Sequence, residues 1–368
     1  MHITAAVTRS PSQMFCVEEV EIESPREDEI LVKIAAVGLC HTDIVAAEGV
    51  LPIPLPGVLG HEGAGIVEAV GAKVTKFKKG DRVVMTFNFC GKCVQCLKGS
   101  PSYCVNFMPL NYAPVRGDGS HTLCACGTGA AISGCFFGQS SFASYALGNE
   151  RNVIKVADDV PLTFLGPLGC GFQTGAGAVM RSLSAEAGSS IMVFGGGPVG
   201  LSAVMGAVVQ GCKTIILVEP MPERRALGLE LGATHVIDPK SEDVVARARE
   251  IVPEGVNNAV DTSGAIPAME AALGCLGMRG TLALIGVPSN LAAALPLNIM
   301  ATLSSAITIK AVIEGDSNPE VFIPQLVDLY KAGKFPIDKL IKTYPFAEIN
   351  KAVDEQKRGL CVKAVLTF

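Results

Sequence analysis

The stretch SSIMVFGGGPVGLSAVMGAVVQGC, residues 189–212, decides the fold. It carries no charge over a length that suffices to cross a bilayer. Its first half, however, holds Gly195, Gly196, Gly197, Pro198 and Gly200, directly after the apolar run 191–194. A buried strand, a glycine turn and a buried helix account for that order of residues, and a membrane span does not. The pattern continues outward from there. Residues 214–218 read as a strand, 222–231 as a helix and 234–237 as a third strand. Further strands are expected at 258–261, 281–285 and 306–313, with a helix over 267–276. Strands alternating with helices of this length indicate a doubly wound parallel sheet with crossover connections. The segment 306–313 suits a sheet edge, where it would pair with a second copy across a two-fold axis.

The chain has 368 residues, which favours two domains over a single core. The first 150 or so show short apolar alternations at 30–34, 65–70 and 81–85, broken by Gly, Pro and charged turns. That is the look of an irregular, mainly antiparallel β region. The tail from 319 holds helical patterns at 321–331 and 347–358, then a strand at 363–368 that suits a return to the first domain. Hydrophobic residues make up 49% and charged residues 18%, enough apolar material for large cores and too much for disorder. A formal charge of −5 gives no attraction to phosphate backbones or anionic lipid, so nucleic acid and membrane are not expected partners. No signal-peptide pattern opens the sequence, and a cytoplasmic location is expected.

Gly195-Gly196-Gly197-Pro198-Val199-Gly200 fits G-x-G-x-x-G between a strand and a helix. Gly195 permits the tight turn, Gly197 lets the backbone approach a pyrophosphate, and Gly200 allows close helix–strand packing. The helix N-terminus adds free N–H groups for the phosphates. Glu219 ends the second strand, 19 residues after Gly200, where a carboxylate accepts bonds from both ribose hydroxyls. It would repel a 2′-phosphate, which favours NAD over NADP, although Arg224 and Arg225 follow closely.

Thirteen cysteines in a chain without a secretory pattern suggest metal ligands or buried small hydrophobes rather than disulfides. Cys90, Cys93, Cys96 and Cys104 lie within 15 residues at the spacing of a closed tetrahedral zinc site. Four protein ligands leave no open position, so that site is expected to be structural. A nucleic-acid zinc ribbon would need a basic density the segment lacks. A second set is scattered: Cys40-His41-Thr42-Asp43, Gly60-His61-Glu62 and Gly169-Cys170-Gly171. Of the spare cysteines, Cys16, Cys124, Cys126, Cys135, Cys212, Cys275 and Cys361, most are expected to be packing residues.

The string GHEGAGIVEAVG (60–71), the Gly80-Asp81-Arg82-Val83 turn, the cysteine quartet and GGGPVG stand in the order and spacing of zinc-dependent medium-chain alcohol dehydrogenases, which the chain resembles over essentially its whole length. FFGQSSFASYAL (136–147), LGPLGCGFQTGAGA (165–178) and GKFPIDKLIKTYPFAEIN (333–350) resemble the bacterial aryl-alcohol (benzyl alcohol) and geraniol dehydrogenase branch. The resemblance implies a GroES-like, mainly antiparallel β catalytic domain over 1–170 and 314–368. It implies a Rossmann NAD-binding domain over 171–313, and two zinc ions per chain.

It further implies that Cys40, His61 and Cys170 hold a catalytic zinc whose fourth position is open to water or the substrate oxygen. Asp43 would hydrogen-bond His61 and set its tautomer, and Glu62 would sit behind the metal. Thr42 would pass the alcohol proton to the ribose, unless it merely caps a helix. Many animal relatives end that relay with a histidine five residues after the first zinc cysteine; here the position is Val45. His41 stands where relatives set a basic residue against the pyrophosphate. Thr174 resembles the threonine that packs on the nicotinamide, and Val287 and Val312 match positions whose backbone holds its carboxamide. Phe136 and Phe137 are the candidate walls of an apolar substrate slot.

The implied activity is reversible oxidation of aromatic or allylic primary alcohols to aldehydes by a homodimer or homotetramer. A glutathione-linked formaldehyde dehydrogenase and a zinc-stabilised nucleotide-binding protein without activity are the two alternatives.

Overall fold

The computed structural model describes residues 1–51, 53–113 and 115–368. The chain divides into two compact units, 1–170 with 318–331 and 337–368, and 171–317 with 332–336.

The second unit is built on one sheet in the order His235–Ile237, Thr214–Val218, Ser190–Phe194, Val256–Asp261, Leu276–Leu284, Thr308–Ala311. Every pairing in it is parallel, and sequence order reverses at the first strand, Ser190–Phe194. That is the doubly wound dinucleotide-binding order, with its ligand crevice at the carboxyl end of the strand where the order turns. Ser190–Phe194 is buried throughout because neighbours cover both faces of a central parallel strand. The helix after the glycine turn, Pro198–Val209, is apolar nearly all round and is correspondingly buried. Thr308–Ala311 lies at the edge of the sheet.

The first unit contains two mainly antiparallel sheets. In the larger, the strand Glu29–Gly38 pairs with Gly63–Val70, Tyr145–Asn149 and the C-terminal strand Lys363–Thr367. The smaller runs Gly57–Val58, His2–Thr8, Cys16–Ile22, Leu123–Ala125, Ala131–Ile132. An apolar core in this unit runs from Ile3, Val20, Ile30 and Val32 to Phe87, Phe142 and Leu366. Among the described residues no helix is long and apolar enough to cross a membrane.

Three expectations need adjusting. Residues 314–317, assigned to the first domain by the resemblance, pack in the second unit. Gln173 Nε2 and Thr174 Oγ1 donate to Glu314 Oε2 at 3.4 and 3.3 Å, and Ser317 Oγ donates to Gln173 Oε1 at 2.8 Å. Residues 332–336 join the same unit, with Phe335 fully buried. The helices Val244–Ile251 and Ile299–Ser305 were not anticipated. Lastly, of the seven spare cysteines Cys275 and Cys361 are buried, Cys124, Cys126, Cys135 and Cys212 are half-buried and Cys16 is exposed, so two of them rather than most sit fully in a core.

Candidate metal centres and nucleotide site

Cys90, Cys93, Cys96 and Cys104 converge so that their sulfurs all lie within 4.8 Å of one another. The Cys93–Cys96, Cys90–Cys96 and Cys93–Cys104 separations are 3.5, 3.9 and 4.0 Å. Four sulfurs at ~2.3 Å from a tetrahedral zinc stand about 3.8 Å apart, so the set fits that ion. The loop itself aims backbone donors at the sulfurs. Cys93 N–H donates to Cys90 Sγ, and Cys90 N–H to Cys104 Sγ, both at 3.3 Å. N–H groups of Cys96 and Val105 pull the Cys93 thiol down to about 6. Burial and the neighbouring sulfurs push Cys96 up to about 12. Four touching thiols cannot all ionise without a cation among them.

The scattered set is assembled by the larger sheet of the same unit. Cys40 follows the strand Glu29–Gly38 and is the N-cap of the helix His41–Ala47. Asp43, at the third position of that helix and 1% exposed, ties three segments together. It accepts from Cys40 N–H at 2.9 Å and from Gly60 N–H at 3.0 Å, and bonds His61 Nδ1 at 2.8 Å. Gly60 has φ +87°, and a Cβ there would lie 2.4 Å from the Phe142 nitrogen, so glycine is required for the chain to enter His61. Cys170 closes the short helix Gly166–Gly169, where a Cβ on Gly169 would meet the Met85 carbonyl at 2.1 Å.

The result is Cys40, His61, Glu62 and Cys170 with ligand atoms all within 4.8 Å of one another. His61 Nε2 is buried and has no hydrogen-bond partner among the described residues. A buried, unpaired imidazole nitrogen beside two sulfurs is what a metal ligand looks like without its ion. Hydrogen bonding from Cys170, against the cost of burial and with help from His61, holds the Cys40 thiol well below its usual range. Burial opposes a charge on His61, but Asp43 and Cys40 outweigh it and hold its pKa well above normal. Thr42 lies inside the helix rather than at its cap, with Oγ1 3.6 Å from Cys40 Sγ. His41 is exposed on the first turn. Phe136 and Phe137 are both 3% exposed and pack on His61. The Phe137 ring stacks on the imidazole at 4.3 Å, and Phe136 meets it edge-on at 5.5 Å.

One participant escaped the sequence reading. Lys363, 1% exposed in the C-terminal strand, lies 2.7 and 2.5 Å from the two Glu62 oxygens and donates to the Leu39 carbonyl at 3.0 Å. Gly38 leaves room for the carboxylate, since a Cβ there would lie 2.0 Å from Glu62 Oε2. Burial raises Glu62 to about 7 against the pull of Lys363. Lys363 is itself kept charged, with Glu62 and Cys40 overcoming the desolvation. A lysine near a chain end reads as a solvated residue, and only its place between apolar neighbours in VKAVL hints otherwise. Gln139 was also missed: its Nε2 donates to the His61 carbonyl at 2.9 Å.

In the second unit Gly195 has φ +100°, and a Cβ on Gly200 would lie 1.8 Å from the Gly195 carbonyl. A Cβ on Gly197 would meet nothing within 4 Å, leaving the space before the helix Pro198–Val209 free for a ligand. Glu219, 3% exposed, accepts from Gly196 N–H at 2.5 Å and Met221 N–H at 2.8 Å. Its carboxylate is thus fixed beside the glycine turn. Arg224 is half-buried on the helix Pro222–Glu230, and Arg225 bonds the Glu219 carbonyl at 2.7 Å. Thr174 and Val312 are buried and Val287 is 60% exposed.

Residues 26–158 match the alcohol dehydrogenase GroES-like domain, and residues 198–332 match the zinc-binding dehydrogenase domain. The chain is 46% identical to geraniol dehydrogenase of Castellaniella defragrans over 366 residues, covering 99% of this chain and 97% of that protein. The solved benzyl alcohol dehydrogenase of Acinetobacter calcoaceticus superposes with a TM-score of 0.96 at 43% identity, over 100% of this chain and 99% of that one. An alcohol dehydrogenase zinc-binding domain protein from Burkholderia ambifaria does so with 0.98 at 46%, over 100% and 99%. Full-length identity at this level, with both domain families matched in order, carries the fold and the reaction class together. The chain belongs to the zinc-dependent medium-chain alcohol dehydrogenases.

Proposed function

We propose that this chain oxidises aromatic and allylic primary alcohols to aldehydes, reversibly, with NAD as hydride acceptor and two zinc ions per chain. The observation that carries the reading is the buried, unpartnered His61 Nε2 beside Cys40 and Cys170, capped by the Phe136–Phe137 pair. The likeness to a benzyl alcohol and a geraniol dehydrogenase supports the substrate class. In this reading Cys40, His61 and Cys170 hold the catalytic ion and the cysteine quartet holds the structural one. Zinc, when bound, supplies a Lewis acid that polarises the substrate oxygen and eases loss of its proton.

The protein's own groups do the rest. Asp43 holds the Nδ1 proton of His61, so Nε2 is the ligating nitrogen. Thr42 takes up the alcohol proton at Oγ1 and hands it toward the ribose. Val45 offers no base to end that path, so the proton leaves through ribose and water. Phe136 and Phe137 hold His61 in place and form an apolar wall that favours a flat ring or an allylic chain. The glycine turn and His41 receive the pyrophosphate, with Arg224 beside the adenosine end. Glu219 takes the ribose hydroxyls and disfavours NADP. Thr174, Val287 and Val312 position the nicotinamide. The first unit is then the catalytic domain and the second the NAD domain. The edge strand Thr308–Ala311, with Ile299, Met300 and Leu303 exposed nearby in sequence, suits a homodimer or homotetramer. A cytoplasmic setting suits thirteen free cysteines.

The test is an alcohol panel with both cofactors, read by absorbance at the NADH band. Burial of a ring or isoprenoid chain is worth roughly 2 to 3 kcal/mol, so kcat/KM for benzyl, cinnamyl or geranyl alcohol is expected to exceed that for ethanol by about 30-fold or more. NAD is expected to outperform NADP. Equal rates on short aliphatic alcohols overturn the substrate class. Turnover of formaldehyde only with glutathione supports the thiol-linked alternative, and NAD binding without hydride transfer supports a non-catalytic protein.

A further inference from the structure

Away from both clusters, three strands of the smaller sheet bring a histidine, a carboxylate and two thiols to one face. His2 in His2–Thr8 is paired directly with Glu21 in Cys16–Ile22, and Glu21 is paired on its other side with Cys124 in Leu123–Ala125. Directly opposed residues share a face of the sheet. Their neighbours Ile3, Val20, Ile22 and Leu123 point the other way and are buried, so His2, Glu21 and Cys124 belong to the outer face. Cys126 lies two residues beyond Cys124.

The donor atoms of His2, Glu21 and Cys126 all lie within 4.8 Å of one another, and Cys126 Sγ is 3.5 Å from His2 Nδ1. Nitrogen and sulfur ligands of a tetrahedral zinc stand about 3.5 Å apart. The strands that carry them are locked by main-chain bonds at this end: Met1 N donates to the Ile22 carbonyl at 2.7 Å, Ile22 N to Met1 O at 2.9 Å, and Glu23 N to Thr122 O at 3.0 Å. Main-chain pairing therefore places His2 and Glu21 before any ion arrives, and Cys126 follows in the turn after Leu123–Ala125, which closes through Gly129 N–H to the Ala125 carbonyl at 3.0 Å.

We propose that His2, Glu21 and Cys126 form a third metal site, open to solvent, that takes a zinc-class divalent cation with water in the remaining position. One imidazole, one thiolate and one carboxylate select a borderline ion such as Zn2+ over Mg2+ or Ca2+, which prefer all-oxygen shells. Nothing about alcohol oxidation requires the site. Having three protein ligands rather than four, it is expected to bind more weakly than the quartet and to exchange its ion freely.

The experiment titrates Zn2+ calorimetrically into untagged full-length enzyme already loaded with two equivalents, for the wild type, Cys126→Ser and His2→Gln. The wild type is expected to take up one further equivalent. Each variant is expected to bind it at least 10-fold more weakly while keeping its two resident zinc ions, thermal midpoint and alcohol turnover. Absence of a third equivalent in the wild type overturns the proposal. So does a third equivalent that both variants retain unchanged, since the ion then binds elsewhere. The first two equivalents and the turnover report separately on the catalytic reading.

Discussion

The cysteine quartet draws four sulfurs from residues 90–104, while the other cluster draws its donors from positions 40, 61 and 170. The quartet is half-exposed over most of its length and its scaffold is slight: a four-residue helix Val94–Leu97 and the short turn Pro101–Tyr103. Its sulfurs are held mainly by N–H groups of their own loop. The scattered cluster is sunk in the sheet of its unit, with Asp43, His61 and Glu62 each 1% exposed or less. The difference concerns what comes first. On the proposed reading, an ion in the quartet would add order to a loop with little scaffold of its own, and binding energy would become folding energy. In the scattered cluster the fold supplies the order, and the proposed ion would meet donors already in place.

Paired substitutions test that contrast, with the largest effect expected on activity. Cys170→Ser removes one ligand from a site held by packing. Catalytic turnover is expected to fall by about 1,000-fold or more, since the metal contributes several kcal/mol to the reaction. The thermal midpoint is expected to stay within a few degrees of wild type and one zinc ion to remain. Cys93→Ser is expected to do the reverse in kind. It loosens the 90–104 loop, which proteases then cut, and turnover falls in step with the loss of intact protein rather than at once. The contrast breaks if Cys170→Ser unfolds the chain as readily as Cys93→Ser.

Lys363 gives a second, smaller lever. Lys363→Met leaves the Glu62 carboxylate buried without its cation, 0% exposed and beside the ligand sulfurs. Breaking a buried pair from one side costs about 3 to 5 kcal/mol, or about 4 to 6 °C of melting temperature in a protein this size. The double change Glu62→Gln with Lys363→Met is expected to recover at least half of that loss, because no lone charge remains. A Lys363→Met protein that melts like wild type would mean the pair is not what fixes the floor of the site.

Both clusters were visible in the sequence, for different physical reasons. The quartet is a local pattern, and CxxC spacing alone makes its sulfurs converge. Cys40 and His61 meet because the strands Glu29–Gly38 and Gly63–Val70 pair, and Cys170 joins them from the helix Gly166–Gly169, whose Gly169 carbonyl accepts from Thr86 Oγ1 at 2.6 Å; residue spacing alone reveals neither contact. Family resemblance stood in for the missing geometry there. The parallel sheet was legible because its central strands, Ser190–Phe194 and Thr214–Val218, are apolar runs ending at turns and the strands after them alternate with helices. The helix Val244–Ile251 was not, although Asp243 caps it by accepting from Ala246 N–H at 3.0 Å. Its apolar positions Val244, Val245, Ala248 and Ile251 do form one helical stripe, but at eight residues the helix is shorter than the window over which a helical period is read. Lys363 was hidden because burial of a charged residue depends on a partner 301 positions away. Residues 314–317 were misplaced because Glu314 is fixed by contacts with Gln173 and Thr174 that no local pattern announces.

The smallest expected effect sharpens the contrast most. Phe137 has φ +52°, an uncommon conformation for a bulky side chain, and its ring lies flat on His61 with an interplanar angle of 21°. Phe107 and Tyr112 pack edge-on against it at 6.4 and 5.4 Å, so the imidazole is clamped from one face by an aromatic cluster. The quartet has no such clamp among the described residues. Phe137→Leu keeps an apolar residue of similar bulk but removes the flat contact, worth about 0.5 to 1.5 kcal/mol beyond buried area. Catalytic zinc is then expected to leave a few-fold to about 10-fold faster under a chelator, while release of the quartet's ion is unchanged. Equal acceleration at both sites would mean that Phe137 acts on the stability of the whole unit. No change at either would mean that Asp43 and Gln139 hold His61 by themselves and that the ring serves only the substrate slot.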